Sequence, residues 1–287
     1  MSLFAFVQME FPWALGPPDG RYVIRGHAGQ PSHVLVLGTL GAVERRKLLS
    51  SKRSQKAKAA ASEPDPTPVV TSRVTLVHAD ALADEAAAKA WVKTANLSAE
   101  ADEAVGVLNS VLHAHRTAAM DPYTREVRRN QALVVRAGVG EGEAVAHGRW
   151  GDAVELKPPA RPAAERRESA LRPQERLAAV LSGRDVALAS EELTIRARLD
   201  LDAGRSREAA LQLRVALEAA LAELQPWNDG ADLSARISEL RELRGIVGDA
   251  ANRALQGGLD DETVADVERV VGRVEAALRV RTTVGLA

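Results

Sequence analysis

Residues 231–256 read ADLSARISELRELRGIVGDAANRALQ, and their apolar positions recur every three or four residues. The residues on this spacing are Leu233, Ile237, Leu240, Val247, Ala251 and Ala254. Such a spacing predicts a helix with one apolar face. Only Arg244 interrupts it, and a buried guanidinium without a partner is costly, so the alternative is that the apolar face shifts to Leu243. A helix of this kind needs a neighbour to bury its leucines, either within the chain or on a partner.

The flanking sequence repeats this helical pattern. One helix is marked by Leu177, Val180 and Leu181, with Pro173 near its start, where proline is tolerated. Further helices are predicted over about 187–202, 206–224 and 260–280. The last of them carries Val264, Val267, Val271, Val274 and Leu278 on its apolar face. The C-terminal half is therefore predicted to be an all-helical bundle of helical hairpins.

One of these hairpins has a recognisable sequence, RLDLDAGRSREAALQLRVAL over 198–217. It resembles one helical hairpin of the tetratricopeptide type, with Gly204 in the turn. The resemblance implies that the small and apolar residues of its second helix, namely Ala209, Leu213, Ala216 and Leu217, face the partner helix. A repeat array needs about three copies at a 34-residue period. No second copy occurs, so an ordinary helical hairpin is expected, with a repeat superhelix as the alternative.

The N-terminal half has a different pattern, with short β-like runs separated by turn residues. Strands are predicted over 3–11, 21–26, 33–38, 72–78, 133–136 and 143–147, and the run at 33–38 is continuous enough for a strand buried on both faces. Glycines 138, 140 and 142 are predicted to form a hairpin turn. Helices are predicted over 81–94 and from Ser98 to before Asp121. This half is predicted to be an α+β domain with two helices on one face of a small sheet.

A proline-rich stretch, Lys157 to Pro162, separates the two patterns, and no lysine follows it. We predict an α+β domain over 1–156, a stiff linker over 157–163 and an all-helical domain over 164–287. The chain has 287 residues, which is long enough for two domains. Aromatic residues make up 3% of the chain, so the cores must be built from Ala, Val and Leu.

Composition also excludes some classes of function. The chain has no cysteine, which rules out disulfides, thiolate metal sites and cysteine nucleophiles. Its first ten residues lack a basic leader, and no run reaches the roughly 18 apolar residues of a membrane span. We therefore expect a soluble cytoplasmic protein that does not associate with membranes.

A basic segment follows the third predicted strand. Seven cations occur there without an acidic residue between them: Arg45, Arg46, Lys47, Lys52, Arg53, Lys56 and Lys58. Three prolines follow, so 45–68 is predicted to be a flexible loop. A solvated loop is the simpler interpretation, and contact with a polyanion such as nucleic acid is the alternative. Interleaved aromatic residues, which stack on bases, are absent from the segment.

Other candidate sites are weaker. If 122–130 is helical, Arg125, Arg128 and Arg129 share one face beside Tyr123, as an anion site or as a solvated surface. His113 and His115 lie two residues apart, which does not suit one metal ion, and His115 is expected to be a hydrogen-bonded core residue. The glycines at 138–142 lack the Lys-Ser/Thr of a phosphate loop. We predict no catalytic, cofactor-binding or metal-binding residues.

These observations favour a non-enzymatic scaffold or adaptor that acts through its C-terminal helices. Its interaction stripe would be Leu233, Ile237, Leu240 and Val247, and it would bind a protein partner or a second copy of the chain. The second hypothesis is a nucleic-acid-associated protein that uses the basic loop at 45–58. The third is an enzyme with a site near Arg125–Trp150, since an active site need not follow a known motif.

Overall fold

The computed structural model describes residues 2–26, 28–41, 70–157, 173–227 and 230–285. The chain divides into two compact units, residues 1–160 and 161–287. The predicted basic loop at 45–68 lies outside the described residues, as does nearly all of the predicted linker at 157–163.

The N-terminal unit contains a six-stranded antiparallel sheet. Its strands are β1 (Leu3–Phe11), β2 (Gly20–Arg25), β3 (Pro31–Leu40), β4 (Thr71–Leu82), β5 (Val134–Glu141) and β6 (Asp152–Glu155). Their order across the sheet is β2-β3-β4-β1-β5-β6. Two helices follow β4, namely α1 (Glu85–Thr94) and α2 (Leu97–Ala119). This sheet confirms the prediction that the N-terminal half of the chain contains β-structure.

One face of the sheet packs on α2. Side chains alternate between the two faces of a strand, so Val7, Met9 and Phe11 of β1 all point to this face. They meet Leu108 and Leu112 of α2 in one buried cluster. The helices begin where the sequence caps them, because the Asp84 and Asn96 side chains accept hydrogen bonds from backbone N–H groups of the first turns.

The opposite face of the sheet is covered only in part. A short 3-10 helix, Gly142–His147, lays Val145 on Phe6 and Val77, and the Trp150 ring lies 5.8 Å from the Phe6 ring. In β3, Leu35 and Leu37 are buried while Val34 and Val36 are only half-buried. The prediction that this strand is buried on both faces was therefore wrong.

The prediction of a hairpin turn at 138–142 was also wrong. Gly138 and Gly140 lie inside β5, and residues 143–147 are not a strand but part of the 3-10 helix. The glycines are needed for close packing rather than for a turn. A Cβ at Gly140 would overlap Val145 Cγ1 and lie 3.2 Å from Trp150 Cα.

We expect Gly140→Ala to lower the free energy of unfolding by about 1–3 kcal/mol, because it overpacks the segment that covers the sheet. The measurement is urea unfolding of the full chain. Gly106→Ala is the matched control, because this helical glycine in α2 has open space around its Cβ position. The control should be neutral or stabilising by about 0.5–1 kcal/mol. Equal effects of the two changes would contradict the packing argument.

The C-terminal unit is helical, as predicted. Its helices are α3 (Pro173–Leu181), α4 (Ala189–Asp202), α5 (Ser206–Glu223), α6 (Ala231–Glu242), α7 (Arg244–Gln256) and α8 (Asp261–Gly285). The hairpin of α4 and α5 forms as the sequence indicated. Gly204 has a φ of +72° in its turn. The expected inward-facing residues, Ala209, Leu213, Ala216 and Leu217, are all buried.

The predicted single helix over 231–256 is interrupted. It ends at Glu242 and resumes at Arg244 as α7, with Leu243 between the two helices. The break moves Leu243 into the core and leaves Arg244 at the surface, where it pairs with Glu218 at 2.6 Å. The apolar face therefore does shift to Leu243, but through a break between two helices rather than along one straight helix. No helix among the described residues is both long and apolar enough to cross a membrane.

Candidate interaction surface

The predicted interaction stripe is buried within the helical unit. Leu233, Ile237, Leu240 and Val247 belong to one core cluster with residues of α5 and α8, and each is at most 2% exposed. Their apolar face is thus covered by helices of the same chain. A partner would have to contact this unit elsewhere.

The first helix of the unit offers such a place. The helix that Leu177, Val180 and Leu181 mark in the sequence does form, but Leu177 and Leu181 are exposed and only Ala179 is buried. An amphipathic helix normally does the reverse and buries its leucines.

Ion pairs, rather than buried leucines, hold α3 in place. Arg176 Nη2 donates to Glu191 of α4 at 2.6 Å, and Arg176 Nε donates to Asp185 at 3.2 Å. Asp185 also accepts from Arg281 of α8 at 2.5 Å, and this arginine is 2% exposed. Because these bonds fix the helix, its leucines remain available at the surface.

Exposed apolar side chains also occur on the next elements along the chain. Val186 lies in the loop that follows α3, and Ile195 and Leu199 lie four apart on α4. Residues with this spacing lie on one face of a helix. We call the set the α3–α4 face, and its members are Leu177, Leu181, Val186, Ile195 and Leu199, between 45% and 78% exposed.

The charged network beneath this face has a defined protonation state. Burial alone would raise the pKa of Asp185, but hydrogen bonds from Arg281, the Val186 N–H and Arg176 outweigh it and lower that pKa below its usual value. Glu223 behaves similarly: burial opposes ionisation, and bonds from Ser190 and Ala189 lower its pKa. These carboxylates therefore stay ionised at neutral pH. The bonds from Arg176 to Asp185 and Glu191 fix α3 to the start of α4.

The other sequence candidates are not arranged as the sequence predicts. Residues 122–128 are not helical, so Arg125, Arg128 and Arg129 do not share a helix face. Arg129 is buried and bonds the Ser98 hydroxyl at 2.7 Å and Asp102 at 3.2 Å. Strand β5 lies between Arg125 and Trp150 in the chain, and an active site in this range stays a prediction. His115 is only partly buried, which contradicts its predicted place in the core.

One polar cluster was missed from the sequence. His33 and His78 lie opposite each other on β3 and β4, with ring centroids 4.9 Å apart, and His78 Nε2 is 3.3 Å from Glu100 of α2. Burial, and then His78, lower the pKa of His33. In the described part of the chain, no three His, Asp or Glu side chains are arranged to hold a metal ion. The cluster therefore ties the sheet to α2.

A small cavity lies between the loop after β1 and strands β3 and β4. Its volume is about 60 Å³, and its carboxylate, Asp19, accepts hydrogen bonds from the Thr39 N–H and hydroxyl. Ligand pockets are usually about 300–1,000 Å³. This cavity has room for water but not for a metabolite. The seven cations of the basic segment, Arg45 to Lys58, lie outside the described residues.

Comparisons with protein-family models, curated protein sequences and solved structures find no match to this chain.

Proposed function

We propose that the protein is a non-enzymatic cytoplasmic adaptor whose C-terminal helical unit binds a protein partner. The observation that carries the proposal is the reversed orientation of α3, which directs Leu177 and Leu181 to solvent and Ala179 to the core. Exposed apolar side chains on adjacent elements are typical of interaction sites. The partner surface is the α3–α4 face, not the buried stripe at 233–247.

Leu177, Leu181 and Ile195 lie on helices, so their backbone is already ordered before a partner binds. Large side chains on a rigid helix lose little conformational freedom on binding, so most of the burial contributes to affinity. Each leucine or isoleucine fully removed from water contributes about 1.5–3 kcal/mol. Because association itself costs about 4–15 kcal/mol, a specific partner must cover the whole α3–α4 face and its polar surroundings, with Leu177, Leu181 and Ile195 as its apolar centre.

The test is capture of partners from the native cell by the tagged full-length chain. We expect Leu177→Asp combined with Ile195→Asp to reduce capture at least tenfold, because two charges enter the apolar interface. Sedimentation of the purified chain distinguishes self-association, which the same double variant should abolish, from binding of another protein.

Val215→Asp is the matched control, because Val215 is also an exposed apolar residue on a helix of this unit. Glu218, three residues after Val215 and so on the same side of α5, pairs with Arg244 of α7, which places Val215 on the side of α5 that faces the start of α7. Capture should survive this change. Unchanged partner capture and unchanged mass in the folded double variant would contradict the proposal.

A further inference from the structure

Two loops of the N-terminal unit form one surface at an end of the sheet. They are residues 12–19, which follow β1, and residues 120–133, which follow α2. Gly16 has a φ of +112°, and a Cβ there would lie 2.7 Å from Thr124 Oγ1, so the loops are in close contact. The Leu133 N–H also donates to the Glu10 carbonyl at 2.7 Å.

The longer loop is held rigidly. The Asn109 side chain of α2 accepts from the Val127 N–H at 2.8 Å and donates to the Val127 carbonyl at 2.9 Å. Asp121 accepts from the Tyr123 N–H and the Thr124 hydroxyl, and the bond from Tyr123 is the main reason that the pKa of Asp121 is lowered. Such a loop is preorganised for binding.

This rigid backbone displays large side chains to solvent. Met120 is 84% exposed, Tyr123 is 83% exposed and Leu133 is also exposed. On the shorter loop, Trp13 is 38% exposed, and its ring lies 5.5 Å from the Phe11 ring. Met120 has a φ of +51° at the end of α2, a conformation that favours glycine.

Three exposed arginines lie in the same stretch of chain as Tyr123, namely Arg116 near the end of α2 and Arg125 and Arg128 on the longer loop. None of them forms an ion pair with another described residue. The two acidic residues of the loop are engaged, Asp121 in its turn and Glu126 with a partner of its own. The end of α2 and the two loops therefore carry three exposed arginines, which have no ion pair among the described residues, and two aromatic rings.

We propose that this surface binds single-stranded nucleic acid. We call it the Tyr123 surface, comprising Trp13, Arg116, Met120, Tyr123, Arg125 and Arg128. Aromatic faces stack on unpaired bases, and arginines neutralise the phosphates between them. An acidic peptide would use the arginines but would leave the exposed rings unexplained. The inference is separate from the adaptor proposal, which concerns the helical unit.

The experiment measures binding of fluorescein-labelled dT12 and rU12 to the full-length chain by fluorescence anisotropy. With three phosphate contacts, the logarithm of the association constant should fall against the logarithm of salt concentration with a slope of about −2. Tyr123→Ala should weaken binding roughly tenfold through lost stacking. Arg125→Gln with Arg128→Gln should bring the slope to about −0.7.

Arg149→Gln is the matched control, since Arg149 is an exposed arginine of the same unit outside this surface; it should leave binding unchanged. Circular dichroism shows whether each variant is folded. Three results would overturn the inference. The first is no binding by the wild-type chain. The second is that folded Tyr123→Ala binds as tightly as the wild-type chain, and that binding is lost only when five cations of the basic segment are neutralised, namely Lys47, Lys52, Arg53, Lys56 and Lys58. The third is competition by a poly-glutamate peptide as strong as that by unlabelled dT12.

Discussion

Replacing Asp185 by alanine should lower the free energy of unfolding of the helical unit by about 3–5 kcal/mol, as is typical when one member of a buried ion pair is removed. Asp185 accepts from Arg281 at 2.5 Å and from Arg176 at 3.2 Å. Arg281 is buried and its guanidinium lies 4.7 Å from the centre of the Trp227 ring. Without the carboxylate, this cation remains buried and unpaired.

Urea unfolding followed by far-UV circular dichroism measures the effect. Glu218→Ala is the matched control, because it also removes a carboxylate bonded twice by one arginine, but at the surface. Exposed pairs contribute little, so the control should leave the unfolding midpoint nearly unchanged. Equal shifts in the two variants would show that the Asp185 network does not stabilise the fold.

The same network predicts a pH dependence with a defined sign. The pKa of Asp185 is lower in the folded chain, so its contribution is present above the ordinary aspartate pKa of about 3.9 and is lost as pH falls below it. The difference in stability between wild type and Asp185→Ala should therefore shrink between about pH 5 and pH 3. A difference that grew on acidification would contradict the assignment.

The second large effect is expected at Leu240. This side chain is 1% exposed and packs in the core cluster of the helical unit. Leu240→Asp places a carboxylate there without a partner, and we expect the unit to lose its cooperative unfolding transition. Ile195→Asp is the same kind of change at an exposed position and should leave the transition in place. If the Leu240→Asp chain stays folded, Leu240 is not a core residue. The predicted interaction stripe would then lie at the surface, as we proposed from the sequence.

The helical half could be predicted well because burial there repeats with the period of the helix. The positions 233, 237, 240 and 247 were identified from spacing alone and all lie in the core. The break at Leu243 was harder to predict, because it depends on contacts with other helices: Leu243 packs in the core cluster and Arg244 pairs with Glu218. Spacing indicates that a face is apolar, but not whether the chain itself covers that face.

The sheet shows the same limit. Gly138 and Gly140 resemble turn residues, yet they lie in β5. They are glycines because segments further along the chain approach their backbone too closely for a side chain. His33 and His78 become neighbours through strand register, which short-range patterns do not determine. The outward direction of Leu177 and Leu181 depends on ion pairs from Arg176 to residues in other elements. These features depend on tertiary contacts, so local sequence could not predict them.

The most direct test of the adaptor proposal is site-specific photo-crosslinking in the native cell. A photoreactive amino acid replaces Ile195 on the α3–α4 face in one full-length chain and Val215 in another, both exposed positions on helices of one unit. The account predicts a discrete covalent adduct with a protein partner from position 195 and none from position 215. Absence of an adduct at 195 and at a second position on the same face, Leu181, in folded chains would contradict it.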